Sequence, residues 1–174
     1  MNVIITGEVG IGKSTVCRRI VDMARENGFI CGGVLTSKDK DDLLVENIET
    51  GERELLASGN HEEGAVLVGR YFFNLKGVQF GQRAIQQSLD VDLLAVDECG
   101  PLELRGAGFS DIFDILHQRG SKINLLVIRK KLLEKFKKRF NLGFNVFEVT
   151  RQNRGTCHKK IYTILKTPDQ EQLF

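Results

Sequence analysis

The chain has 174 residues, 41% of them hydrophobic and 28% charged, with a formal net charge of +2. That size suits one domain over residues 1–174, able to bury roughly 70% of the surface its unfolded chain exposes without metal or disulfide staples. So small a net charge gives no argument for a nucleic-acid or membrane-surface partner, and no apolar run approaches the ~18 residues that span a bilayer.

Short apolar runs alternate with helix-period stretches, the pattern of an α/β sheet. Val3-Ile4-Ile5 reads as a buried first strand, and the chain then reaches polar Thr6 and Glu8 at once, unlike a signal peptide. A glycine-rich turn follows, and Val16, Ile20, Met23 and Ala24 give the next helix one apolar face, with Gly28 as its stop. The stretch 29–74 reads differently. Gly33–Ser37, Leu44–Glu49 and Val66–Phe73 are β-like pieces between turn-rich segments, with a solvated hairpin tip at Lys38–Asp42. An antiparallel meander inserted into an otherwise parallel sheet is expected there.

From Val78 the alternation resumes. A helix is expected over Val78–Leu89, then a buried strand Leu93–Val96 ending at Asp97, and a helix marked by Phe109, Ile112, Phe113 and Leu116. Ile123–Ile128 is a strand, Leu132, Phe136 and Phe140 lie along a helix, Val146–Val149 is the last strand, and Cys157, Ile161, Ile164 and Leu165 line the closing helix. The tail beyond about residue 167, with Pro168, is expected to fray. Cys17, Cys31, Cys99 and Cys157 form no CxxC pair, so reduced thiols in a cytoplasm are the expectation. His61, His117 and His158 are scattered and are not read as metal ligands.

Gly7-Glu8-Val9-Gly10-Ile11-Gly12-Lys13-Ser14 satisfies GxxxxGK[ST] between a strand and a helix, and Thr15 continues it. The glycines let the backbone turn its N–H groups onto phosphate oxygens, and the new helix points its positive end at the same anion. Lys13 would reach the β- and γ-phosphates, and Ser14 would offer its hydroxyl to Mg²⁺. The bland alternative is a glycine-rich turn that happens to precede a helix. Leu93–Val96 followed by Asp97-Glu98 supplies the second half: an acid ending the neighbouring strand, beside the loop. Asp97 would hold Mg²⁺, and Glu98 would orient and deprotonate water. An acidic pair closing a buried strand is common on its own, but not in this company.

Asp97-Glu98-Cys99-Gly100 also satisfies the DxxG of GTPases, but Thr150-Arg151-Gln152-Asn153 is not the [NT]KxD that guanine recognition needs. A small-molecule or nucleotide kinase shares the phosphate loop and ordinarily lacks a water-activating glutamate there. Hydrolysis of nucleoside triphosphates is the leading reading. A nucleotide-dependent switch and a kinase stand as alternatives.

The chain resembles the THEP-type nucleoside-triphosphatase family over nearly its whole length. The resemblance rests on Ile4–Thr15, Gly32–Thr36, Val68–Tyr71, the octet Asp97-Glu98-Cys99-Gly100-Pro101-Leu102-Glu103-Leu104, and Val149–Arg154. The octet is its distinctive part, since very many families share the loop. Cys99 and Leu102 depart from the apolar residue and the methionine common there. The resemblance implies a P-loop domain of the additional-strand type that hydrolyses several nucleoside triphosphates to diphosphates.

Phosphoryl transfer often needs a further cation, for which Arg105, Arg129, Arg151 and Arg154 are candidates. Asn153 and Arg154 are favoured for base or ribose contact, against a plain helix-capping role. Within Arg129–Arg139 seven of eleven residues are basic (Arg129, Lys130, Lys131, Lys135, Lys137, Lys138 and Arg139). That run reads as the solvated side of a helix rather than a nucleic-acid site, and the chain as a monomer without a membrane partner.

Overall fold

A computed structural model describes residues 1–60 and 64–166. The expectations for His61 and for the tail beyond Pro168 lie outside them. Nine strands form one sheet: β1 (Asn2–Gly7), β2 (Cys31–Asp39), β3 (Asp42–Asn47), β4 (Arg53–Ser58), β5 (Val66–Val68), β6 (Tyr71–Phe73), β7 (Leu93–Cys99), β8 (Ile123–Arg129) and β9 (Asn145–Glu148). Their order across the sheet is β5-β6-β4-β3-β2-β7-β8-β1-β9. The run from β2 to β9 is parallel, and β3, β4, β6 and β5 extend it antiparallel. The meander thus widens one end of the parallel sheet. It includes a strand at Arg53–Ser58 that the sequence reading lacks, and its Val66–Phe73 piece breaks into two strands at Gly69-Arg70.

Alternation along the central strands supplies the two cores. Val3 and Ile5 face one side of the sheet, where they meet α1 (Lys13–Glu26) and α6 (Cys157–Lys166) through Val16, Ile20, Val21, Ile161 and Leu165. Ile4 faces the other, against α2 (Leu75–Gln87), α4 (Ile112–Gln118) and α5 (Leu133–Phe140). Each such side chain, fully buried, contributes about 1.5–3 kcal/mol. Helix α1 stops as expected: Gly28 N–H donates to the Arg25 carbonyl at 3.0 Å and Phe29 N–H to Ala24 at 3.0 Å. Phe136 and Phe140 of α5 pack on Phe113, with ring centroids 5.8 and 4.5 Å away. Burying that stripe leaves Lys135, Lys138 and Arg139 on the exposed side of the same helix.

One expectation is corrected by the topology. The acid-bearing strand β7 is not next to the phosphate-loop strand β1, because β8 lies between them. A contiguous apolar run ending in an acid says nothing of lateral order, which a crossover connection decides.

Candidate active site

The turn after β1 rises into solvent. Val9 at its crest is 73% exposed, while Ile11 packs back on the core below. Gly10 and Gly12 have φ of +76° and +105°, values that side chains with a Cβ rarely adopt and that let this turn fold over itself. Helix α1 then begins at Lys13, its N-terminal N–H groups directed at the turn. Lys13 lies within the turn, with Nζ donating to the Glu8 carbonyl at 2.7 Å. Burial pulls its ammonium below the usual lysine range, against the opposing attraction of Glu98 and Asp97.

Asp97 is fully buried, and its carboxylate collects three hydrogen bonds. Ser14 Oγ donates at 3.1 Å, Thr36 Oγ1 at 2.8 Å and Thr36 N–H at 3.1 Å. Thr36 is absent from the site residues read from sequence, although it closes the Gly32–Thr36 segment that carries part of the resemblance. Its delivery depends on Gly33: a Cβ there would sit 2.1 Å from the Ala95 carbonyl, so only glycine lets β2 approach β7 this closely.

Burial, then the negative charge of Glu98, raises the Asp97 carboxyl to about 6, although the bonds from Ser14 and Thr36 pull it down. With the folded value above the unfolded one, the folded state holds this proton more tightly. Asp97 therefore stabilises the metal-free protein most below about pH 4, and that contribution is lost as pH rises through about 6. With EDTA present, thermal unfolding between about pH 4.5 and 7 should show a smaller loss of stability in Asp97→Asn than in the parent. Equal losses would contradict the assignment.

Glu98 sits in a register slip between β7 and β8 that falls between Val96 and Cys99. Its φ is +70°, a left-handed conformation that costs a non-glycine residue on the order of 1–3 kcal/mol and tends to persist at working sites. Its carboxylate is about one-third exposed, and Oε2 accepts from Arg129 Nη2 at 3.2 Å. Three residues on, the octet turns into the short helix α3 (Pro101–Leu104). Buried Glu103 fixes that exit, its carboxylate accepting from Gly100 N–H at 2.6 Å and Phe109 N–H at 2.9 Å. Cys99 lies wholly in the apolar core, where its thiol is pushed well above the usual range.

Lys13, Ser14, Asp97 and Glu98 therefore converge, as three elements meet at one end of the sheet. Asn153 and Arg154 lie apart, in the turn after β9, whose Val149 N–H donates to the Thr6 carbonyl at 2.8 Å and so runs beside the loop. Asn153 is taken up by this turn: Oδ1 accepts from Thr150 N–H at 2.8 Å and Nδ2 donates to the Glu148 carbonyl at 2.8 Å. Arg151 and Arg154 are exposed. Arg105 lines a groove with Leu132, Lys135, Lys138 and Arg139, between α3 and α5. Among the described residues no cluster of three or more His, Cys, Asp or Glu side chains could hold a metal, and no helix is long and apolar enough to cross a membrane.

A model of the NTPase family matches residues 2–162. The nucleoside-triphosphatase THEP1 of Methanothermobacter thermautotrophicus is 31% identical, over 95% of this chain and 96% of its own. That of Methanosarcina acetivorans is 29% identical, over 92% and 94%. Among solved structures, that of THEP1 from Aquifex aeolicus is similar with a TM-score of 0.76 at 22% identity, covering 96% of this chain and 100% of the other. A human cancer-related nucleoside triphosphatase gives 0.70 at 20% identity, covering 97% and 99%. At those identities the structural likeness speaks for the fold.

Proposed function

The chain belongs to the NTPase family, and from that premise we propose that it hydrolyses nucleoside triphosphates, ATP and GTP among others, to diphosphate and phosphate with Mg²⁺. The observation that carries the reading is the bond from Ser14 of the glycine-rich loop to Asp97, with Lys13 close enough to feel the charges of both Asp97 and Glu98. Residues Gly7, Glu8, Val9, Gly10, Ile11, Gly12, Lys13, Ser14 and Thr15 would cradle the phosphates, with backbone N–H groups and the start of α1 meeting their charge. Lys13 would exchange its bond to Glu8 for the β- and γ-phosphates. Glu98 would accept a proton from the attacking water.

The donor set fits Mg²⁺. Ser14 Oγ and Asp97 Oδ1 are hard oxygen ligands, and all three hydrogen bonds to the buried Asp97 carboxylate come from uncharged groups. These two residues would hold the ion, which when bound neutralises charge on the β- and γ-phosphates. The four cysteines are free and buried, which supports a reducing, cytoplasmic setting.

Asn153 and Arg154 are proposed for base or ribose contact. Asn153 would hold the turn, and the Arg154 guanidinium, without a hydrogen bond or ion pair among the described residues, would reach the nucleotide. Arg154→Ala should then raise KM several-fold with kcat nearly unchanged. Unchanged KM and kcat together would end that role.

The reading is tested by phosphate release from ATP, GTP, CTP and UTP, with Mg²⁺ and with EDTA. Release from several nucleotides that EDTA abolishes is expected. Tight binding without release would instead indicate a switch or a kinase.

A further inference from the structure

Resting on that hydrolytic reading, we propose that Arg129 is the cation that meets charge on the transferring phosphoryl group, parked on Glu98 until a triphosphate arrives. The topology makes the case. Strand β8 lies between the phosphate-loop strand and the acid strand, so whatever ends β8 stands between the two halves of the site. Arg129 is its last residue. Its Cα is the register partner of Gly7, the first residue of the loop, and its guanidinium reaches Glu98 at 3.2 Å on the other side. It is also close enough to Lys13 for the two positive charges to repel. Of the four candidate arginines, Arg105 lines a separate groove, and Arg151 and Arg154 are exposed beyond β9. Of these four, Arg129 alone makes a direct contact, among the described residues, with a side chain placed in the chemistry.

The pair with Glu98 is suited to exchange. It uses one nitrogen of a fork that carries five N–H donors, and both side chains are about one-third exposed, at 34% and 30%. Half-open pairs of this kind are weak, whereas a guanidinium binds phosphoryl oxygens with two parallel charge-assisted bonds. An arriving γ-phosphoryl group would therefore draw Arg129 off Glu98. That transfer frees Glu98 Oε2 to take the proton of the attacking water. The water oxygen forms its bond to phosphorus as the bridging P–O bond breaks, its electron pair leaving with the diphosphate. One movement thus supplies the cation and releases the base. Water is left without an activated partner when no triphosphate is bound.

The test measures kcat and equilibrium nucleotide affinity for the parent, Arg129→Ala, Arg129→Lys and the surface control Arg83→Ala. Arg129→Ala is also combined with Glu98→Gln, and guanidinium is added at non-denaturing concentration. Arg129→Ala should lower kcat by about 10³, the lower range for a lost arginine in such reactions. Nucleotide affinity should shift less than about threefold, and guanidinium should restore part of the rate. Arg129→Lys, which keeps the charge but not the fork, should lose activity too, and it carries the test if the alanine variant fails to fold. An unchanged kcat would overturn the assignment. So would a parallel loss of affinity, or no added loss in the Glu98→Gln background, which would make Arg129 a support for Glu98 alone. A parent without turnover would sink the hydrolytic reading itself, and a hydrolysing parent with a fully active Arg129→Ala would sink only this one.

Discussion

Glu98→Gln should keep nucleotide affinity within a few-fold of the parent and lower kcat by about 10³, within the usual range for a lost general base. The substitution is nearly isosteric. Glutamine can still accept a hydrogen bond from Arg129, so the register slip and the position of β8 have no reason to change. What it cannot do is take a proton from water. The left-handed backbone at Glu98 adds weight: a strained residue persists where the surrounding structure holds it, and here it carries the carboxylate that meets Arg129. Lys13→Ala offers the contrast, because Lys13 would contact bound phosphates before any chemistry and its loss should damage binding as well as rate. Parental turnover in Glu98→Gln would remove Glu98 from the chemistry.

A large effect on stability is expected away from the site. Arg119→Met should destabilise the fold by at least about 4 kcal/mol, since buried acceptors left without a donor cost about 1–3 kcal/mol each. Arg119 is 4% exposed, and its guanidinium donates to five acceptors. Nε meets Asn124 Oδ1 at 2.6 Å, Nη1 meets the Ser88 and Leu89 carbonyls at 2.7 and 2.8 Å, and Nη2 meets Val91 and Ile123 at 3.0 and 3.2 Å. The residue ties the end of α2, the approach to β7 and the start of β8 into one knot. Burial lowers its guanidinium to about 10, with Asp90 and Asp92 pulling the other way, so it stays charged at neutral pH. Methionine retains the stem's packing and isolates the loss of the donors. Urea unfolding would measure it, and a change below about 1 kcal/mol would mean that water or shifted backbone replaces the guanidinium. Activity per folded molecule should be unaffected, which separates this substitution from those at the phosphate loop.

Much of the fold is legible in the order of residues because its signals are local. An apolar triplet, a glycine turn and an apolar helical face are contiguous, so β1, the phosphate loop and α1 can be read without knowing their neighbours. The same holds for Phe136 and Phe140, whose spacing marks the buried side of α5 and leaves the lysines to solvent. Strand β4 is less legible, because its first residues are charged and exposed and its apolar part is short. Arg119 carries no local mark at all: an arginine near the end of an amphipathic helix looks solvated until the carbonyls around it are known.

The glycine-rich turn, the acid pair and the alternation that makes an α/β sheet are legible along the chain, because each depends on residues within one or two turns of it. The placing of β8 between β1 and β7, the reach of Thr36 from β2 to Asp97 on β7, and the choice among four arginines of the one that faces Glu98 arise only when the strands assemble. Those facts depend on the lateral order of strands, set by crossovers and by how closely backbones can approach. No spacing along the chain encodes that order directly.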